Sequence, residues 1–156
     1  MLGIVGTVPD ADLDILQGPA RLDGDRVSVA GHEVDVQRGT PALLDAALLA
    51  AAQRGKQGRH AYLGSDPGRG DRSRRLYDWL CRHLPDCTCS VLVFHYLQPD
   101  VDWHGRVLLA IEQMTRPPVL IADAGFMYAA KMSGQAGRYD CFTPDLGELA
   151  FLADEQ

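Results

Sequence analysis

Two carboxylates near the end of the chain carry the clearest chemical potential. Asp123 closes the apolar run "PPVLIAD", and Asp145 follows the short run "YDCFTPD". A carboxylate at the end of a buried strand can bind ribose or sugar hydroxyls, hold a cation through water, or act as a base. Asp145 has a second reading. Thr143 or Asp145 caps a helix through Glu148, with Thr143-Pro144 as the entry turn. Asp123 likewise doubles as a turn residue ahead of Gly125. His95 closes another apolar strand, "SVLVFHYL", where a histidine is either a hydrogen-bonded core residue or a cleft group.

The segment "GSDPGRGDRSRR", Gly64 to Arg75, suggests an anion loop. Glycines let backbone approach a phosphate, a following helix start supplies free N–H groups, and arginines add charge-assisted contacts. Gly64, Asp66, Gly68 and Gly70 are its candidate contacts. The segment lacks the Gly-Lys-Ser/Thr ending of a Walker loop and the third glycine of a dinucleotide fingerprint. A surface loop with an exposed basic helix start stands beside the phosphate reading. "GIVGTVPD" has no helix signal after it and reads as a plain strand end.

Four cysteines are present, and three lie with His83 in "CRHLPDCTC". Zinc needs ligands that converge tetrahedrally. The spacing of Cys81, His83, Cys87 and Cys89 matches none of the paired C-x2-C knuckles. A helix end followed by a strand start is the simpler reading, and no metal ligand is assigned.

These residues need a scaffold, and the pattern supplies one. Short apolar runs at Leu2–Val5, His60–Leu63, Ser90–Leu97, Pro118–Ala122 and Asp140–Thr143 alternate with helical segments. Helices are expected over Pro41–Arg54, stopped by Gly55, over Ser73–Leu84, Trp103–Met114 and Phe126–Ser133, and after Asp145. Thr40 is the expected cap of the first, an alanine- and leucine-rich helix that belongs in a core. This rhythm argues for βαβ units and a parallel sheet covered on both faces. Between Gly18 and Gly39, alternating Val27, Val29, Val34 and Val36 with Asp-Gly and Ala-Gly turns argue for a small hairpin. The fold expected is a three-layer α/β/α, Rossmann-like sheet of about five mainly parallel strands. Strands that run parallel deliver their carboxyl ends to one edge, where ligands bind. There the sequence places Gly6-Thr7, Gly64-Ser65-Asp66, His95-Tyr96, Asp123 and Thr143-Pro144-Asp145.

The 156 residues suit one domain with one substantial core. A formal charge of -6 disfavours general nucleic-acid binding, which needs a basic face. No apolar stretch reaches the roughly 18 residues of a membrane span, and the first residues lack a signal-peptide pattern. A cytoplasmic protein with a small-molecule ligand, and no nucleic-acid or membrane partner, is the resulting expectation.

"PPVLIADAG" followed by "YDCFTPDLGELAFL" resembles the paired segments of the ADP-dependent NAD(P)H-hydrate dehydratases, within the ribokinase-like superfamily of carbohydrate kinases. "GTPALLDAALLAA" looks like that family's early glycine-led, alanine-rich helix, and the resemblance covers residues 38 to 153. It implies a ribokinase-like fold, an ADP or ATP cofactor with Mg²⁺, and substrate binding by Asp123, Thr143, Asp145, Gly147 and Glu148, with His95 at the cleft edge and the loop Gly64 to Gly70 beside it. Two departures stand out: Gly125 falls where the family carries its second aspartate, and Asp145 stands in place of a histidine. The superfamily's late Gly-x-Gly-Asp loop does not occur among these residues, so no catalytic residue is assigned. The expectation is a ribokinase-like small-molecule kinase or a dehydratase-related protein, incomplete or inactive as this chain. The alternative is a non-catalytic binding or assembly module of the same fold, with self-association into a homo-oligomer through an apolar patch. A nicotinamide-dependent oxidoreductase is disfavoured by the missing fingerprint.

Overall fold

The computed structural model describes residues 1–10, 13–24, 26–36, 38–56, 58–66 and 71–154. Eight strands form one sheet: β1 (Leu2–Val8), β2 (Leu16–Asp23), β3 (Arg26–Val29), β4 (His32–Val34), β5 (Arg59–Ser65), β6 (Val91–His95), β7 (Val119–Ala122) and β8 (Cys141–Phe142). Five helices accompany them: α1 (Thr40–Gln53), α2 (Asp71–His83), α3 (Val101–Glu112), α4 (Gly125–Met132) and α5 (Leu146–Ala153). The chain is thus an α/β protein with a mostly parallel sheet.

The strand order is β4-β3-β2-β5-β1-β6-β7-β8. Strands β5, β1, β6, β7 and β8 run parallel, as the alternation of strands and helices implies. Taken alone, those five follow the doubly wound order 2-1-3-4-5, whose direction reverses between β1 and β6. The expected small hairpin is larger than the valine pattern indicates. β2 pairs antiparallel with β5, so β2, β3 and β4 extend the sheet from five strands to eight. The turn from β3 to β4 has positive φ at both Ala30 and Gly31, the geometry that matches hairpin twist. Val36 falls beyond the end of β4.

Alternation along each strand builds a core on either face. Ile4 and Val8 of β1 pack with Ala61 and Leu63 of β5 and with Leu44 and Leu48 of α1. Val5 points the other way, into a larger core with Leu76 and Leu80 of α2, Phe94 of β6, Val107 and Leu108 of α3, and Phe126 of α4. The rings of Phe94 and Phe126 stack at 4.5 Å, and Tyr77 lies 6.1 Å from Phe126. α1 is less enclosed than its apolar composition suggests. Leu44 is fully buried while Leu49 is 49% exposed, because only the stripe of Leu44, Leu48 and Ala51 faces the sheet. No helix among the described residues is long and apolar enough to cross a membrane.

Candidate functional site

Three strand ends and one helix start build the site. β1 runs beside β6, and Gly6 pairs with His95 across them. A Cβ on Gly6 would sit 2.3 Å from the His95 carbonyl oxygen and 2.3 Å from Thr40 Oγ1. Glycine is therefore what lets the start of α1 approach the strand. Thr40 is the first residue of α1, and the cap is Gly39, with φ 66°. The sequence reading placed the cap one residue later. The fully buried Thr40 instead turns its hydroxyl inward, 3.0 Å from His95 Nδ1.

His95 Nε2 lies 3.4 Å from Asp123 Oδ2. Asp123 follows β7, which pairs with β6, so neighbouring strand ends bring the two side chains together. Burial lowers the His95 pKa, and the Asp123 carboxylate partly offsets that. A neutral imidazole that donates from Nε2 to Asp123 accepts the Thr40 hydroxyl at Nδ1. The second Asp123 oxygen accepts the Ala124 N–H at 2.8 Å, which fixes the carboxylate's orientation. Thr40–His95–Asp123 is thus a continuous buried array whose carboxylate end is a quarter exposed.

Beside the array opens a cleft of about 550 Å³. Thr7, Arg38, Gly39, Tyr96, Gln98 and Gly125 line it. Thr7 Oγ1 donates to the Tyr96 carbonyl and anchors the loop after β6. Tyr96 adopts φ 51°, unusual for a residue with a side chain, and the residue is 57% exposed. α4 starts at the same wall. Ala124 caps it at φ 49°, and Gly125 passes so close to the Leu97 carbonyl that a Cβ would lie 2.4 Å away. Neither α1 nor α4 has a side-chain cap, and Gly39 and Gly125 both line the cleft.

The remaining sequence candidates are divided. Asp66 and Glu148 reach the cleft wall. Asp66 Oδ2 accepts the Ser73 N–H at 3.3 Å and the Ser73 hydroxyl, so it secures the start of α2. Asp145 and Glu148 form a reciprocal capping box on α5, at 2.8 and 2.9 Å. The helix-cap reading of Asp145 is the one the geometry carries. Thr143, Asp145 and Gly147 are exposed, and none of the three lines the cleft. Gly64 backs onto Leu76, 3.0 Å from a hypothetical Cβ, and opens with Ser65, Arg72 and Arg75 onto a shallower hollow of about 270 Å³. Gly68 and Gly70 lie outside the described residues.

Sequence reasoning put Thr7 at the ligand edge but missed Thr40 and Arg38 as site residues. Their signal is weak: a glycine three positions into a strand end and a Gly-Thr-Pro helix start, which become meaningful only when paired. The cysteine cluster also separates. His83 stacks on Trp79 at 4.1 Å and bonds its carbonyl, while Cys87 and Cys89 gather around Tyr62. No group of three or more histidine, cysteine or carboxylate side chains that could hold a metal ion occurs among the described residues.

No family model matches the chain, and no solved structure matches it. A protein of Methanocaldococcus jannaschii described as uncharacterized protein MJ1337 is 40% identical over 91 residues. Those residues are 58% of this chain and 35% of the relative, so the similarity spans about a third of the relative's length.

Proposed function

We propose that the chain is a ribokinase-like small-molecule-binding domain, related to the small-molecule kinases and nucleotide-dependent NAD(P)H-hydrate dehydratases. The observation that carries this reading is the cleft at the β1/β6 reversal point, beside a carboxylate held by a buried histidine. Open α/β sheets bind ligands at that position. Asp123 takes ligand hydroxyls. His95 and Thr40 position it, and Arg38 in the cleft lining supplies positive charge.

The expected cofactor, ADP or ATP with Mg²⁺, fits in part. Arg72 and Arg75 of α2, which line the shallower hollow beside the end of β5, suit a phosphate chain. A protein-held Mg²⁺ does not fit. Asp66, Asp145 and Glu148 each bond helix-start groups of their own chain, and no three ligands converge among the described residues. That same observation favours the second reading, a non-catalytic binding module of this fold.

A thermal-shift series with ADP, ATP and NADPH, each with and without Mg²⁺, tests the proposal. A ligand that binds only the folded state raises Tm with concentration. A rise with an adenine nucleotide, lost in Asp123→Ala, is expected. A flat response at millimolar ligand overturns nucleotide binding and leaves the module reading.

A further inference from the structure

At the opposite, amino edge of the sheet lies a cluster that the cleft does not use. Cys87 follows a short 3-10 turn, Leu84–Asp86, and Cys89 precedes β6. Cys89 is 2% exposed, tucked against Gly3 of β1, where a Cβ would stand 2.9 Å from its sulfur. Cys87 is half-buried. The Tyr62 hydroxyl of β5 lies 3.1 Å from Cys87 Sγ and 3.6 Å from Cys89 Sγ. The Cys89 backbone N–H also donates to Cys87 Sγ at 3.4 Å. The Tyr62 hydroxyl and the Cys89 N–H therefore converge on one sulfur, with the second sulfur beside them.

We propose that Cys87 and Cys89 form a redox-sensitive modification site, in which Cys87 attacks peroxides and Cys89 then closes a disulfide with it.

Donors that converge on a sulfur stabilise its thiolate, the nucleophilic form. The Cys89 thiol, the Tyr62 hydroxyl and the Cys89 N–H together lower the Cys87 pKa against its burial. The same hydrogen bond and burial keep Cys89 protonated. The other ionisable groups that act on the pair are His60, whose ring packs 4.8 Å from Tyr62, and the chain's amino group. In the first step the Cys87 sulfur bonds one peroxide oxygen and the O–O bond breaks. Hydroxide leaves and is protonated to water. Sulfur loses two electrons, the peroxide gains them, and Cys87 becomes a sulfenic acid. In the second step the Cys89 sulfur bonds the Cys87 sulfur and the S–O bond breaks. The leaving oxygen departs as water with the Cys89 proton. Residues two apart are separated by at most about 7 Å, near the upper reach of a disulfide. The bridge is accordingly expected to be readily reduced.

The test uses the full, reduced chain. Iodoacetamide labelling over a pH series, read per cysteine by mass spectrometry, is expected to modify Cys87 at pH 6 at least tenfold faster than the exposed Cys141. Tyr62→Phe, checked for folding by circular dichroism, should slow Cys87 labelling at that pH several-fold and leave Cys141 unchanged. With stoichiometric hydrogen peroxide, a Cys87–Cys89 bridge should form. Cys89→Ser should instead leave a sulfenic acid on Cys87 that dimedone traps. Equal labelling of Cys87 and Cys141 at pH 6, no response to Tyr62→Phe, or peroxide oxidation at Cys141 in preference to the pair would each overturn the proposal.

Discussion

β1 meets different company at its two ends. At the carboxyl end, Gly6 is closed in by a backbone carbonyl and by Thr40 at the start of α1. At the amino end, a Cβ on Gly3 would meet the Leu92 methyl at 2.8 Å, the Cys89 sulfur at 2.9 Å and the Tyr62 ring at 3.1 Å, all side-chain atoms. The first arrangement fixes a helix start against a strand and opens beside a cleft. The second is a deformable plug over a dithiol. Space that backbone fills holds geometry, whereas space that side-chain tips fill can adjust.

Gly6→Ala attacks the rigid end and carries the largest expected effect. The strand, the His95 carbonyl or α1 must move, which costs about 3 kcal/mol or more. For a chain of this size that is a Tm decrease of roughly 6–12 °C, with loss of any ligand-induced rise. A decrease below about 2 °C would show that α1 is free to shift.

The two buried histidines sharpen the same contrast. His104 of α3 is fully buried, with Nε2 2.8 Å from the Tyr139 hydroxyl and Nδ1 3.1 Å from the Ser133 hydroxyl. Burial among neutral partners lowers its pKa to about 4. A depressed histidine stabilises the fold fully above its unfolded pKa of about 6.5 and loses that contribution as pH falls toward 4. Between pH 7 and 5 the expected loss is about 2 kcal/mol, and His104→Gln should flatten it in a urea-unfolding series. His95→Gln should flatten it less, since Asp123 opposes the shift.

Gly3→Ala is expected to cost about 1 kcal/mol, as the tips of Leu92 and Cys89 give way. A Tm loss equal to that of Gly6→Ala would erase the distinction between the two ends. The smallest stability effect belongs to exposed Arg38. Arg38→Ala should leave Tm within the range of surface substitutions, about 0.5 kcal/mol, while weakening nucleotide-induced stabilisation in a ligand titration.

Local chemistry was well legible. Strand–helix alternation marked every parallel strand and helix to within a few residues, and Ala30-Gly31 marked its turn. Glu148 three residues after Asp145 marked the capping box that forms. The helix-start error at Thr40 is also instructive: as a cap it would satisfy its own helix, yet His95, 55 positions away, claims the hydroxyl. The meander's full extent was hidden because β2, "LQGPARLD", has no β-branched residue and owes its strand form to pairing with β5.

By itself the sequence determined which segments are parallel strands and helices, that the parallel strands end in polar residues, and that the thiols lack zinc-knuckle spacing. Those features follow from dihedral preference and burial period, which act over a few residues. Only the tertiary structure decided that β1 lies between β5 and β6, and that Thr40, His95 and Asp123 meet while Asp145 turns to its own helix. It likewise placed Tyr62 across Cys87 and Cys89. Strand order is set by packing between distant segments, and no local pattern encodes which strand ends become neighbours.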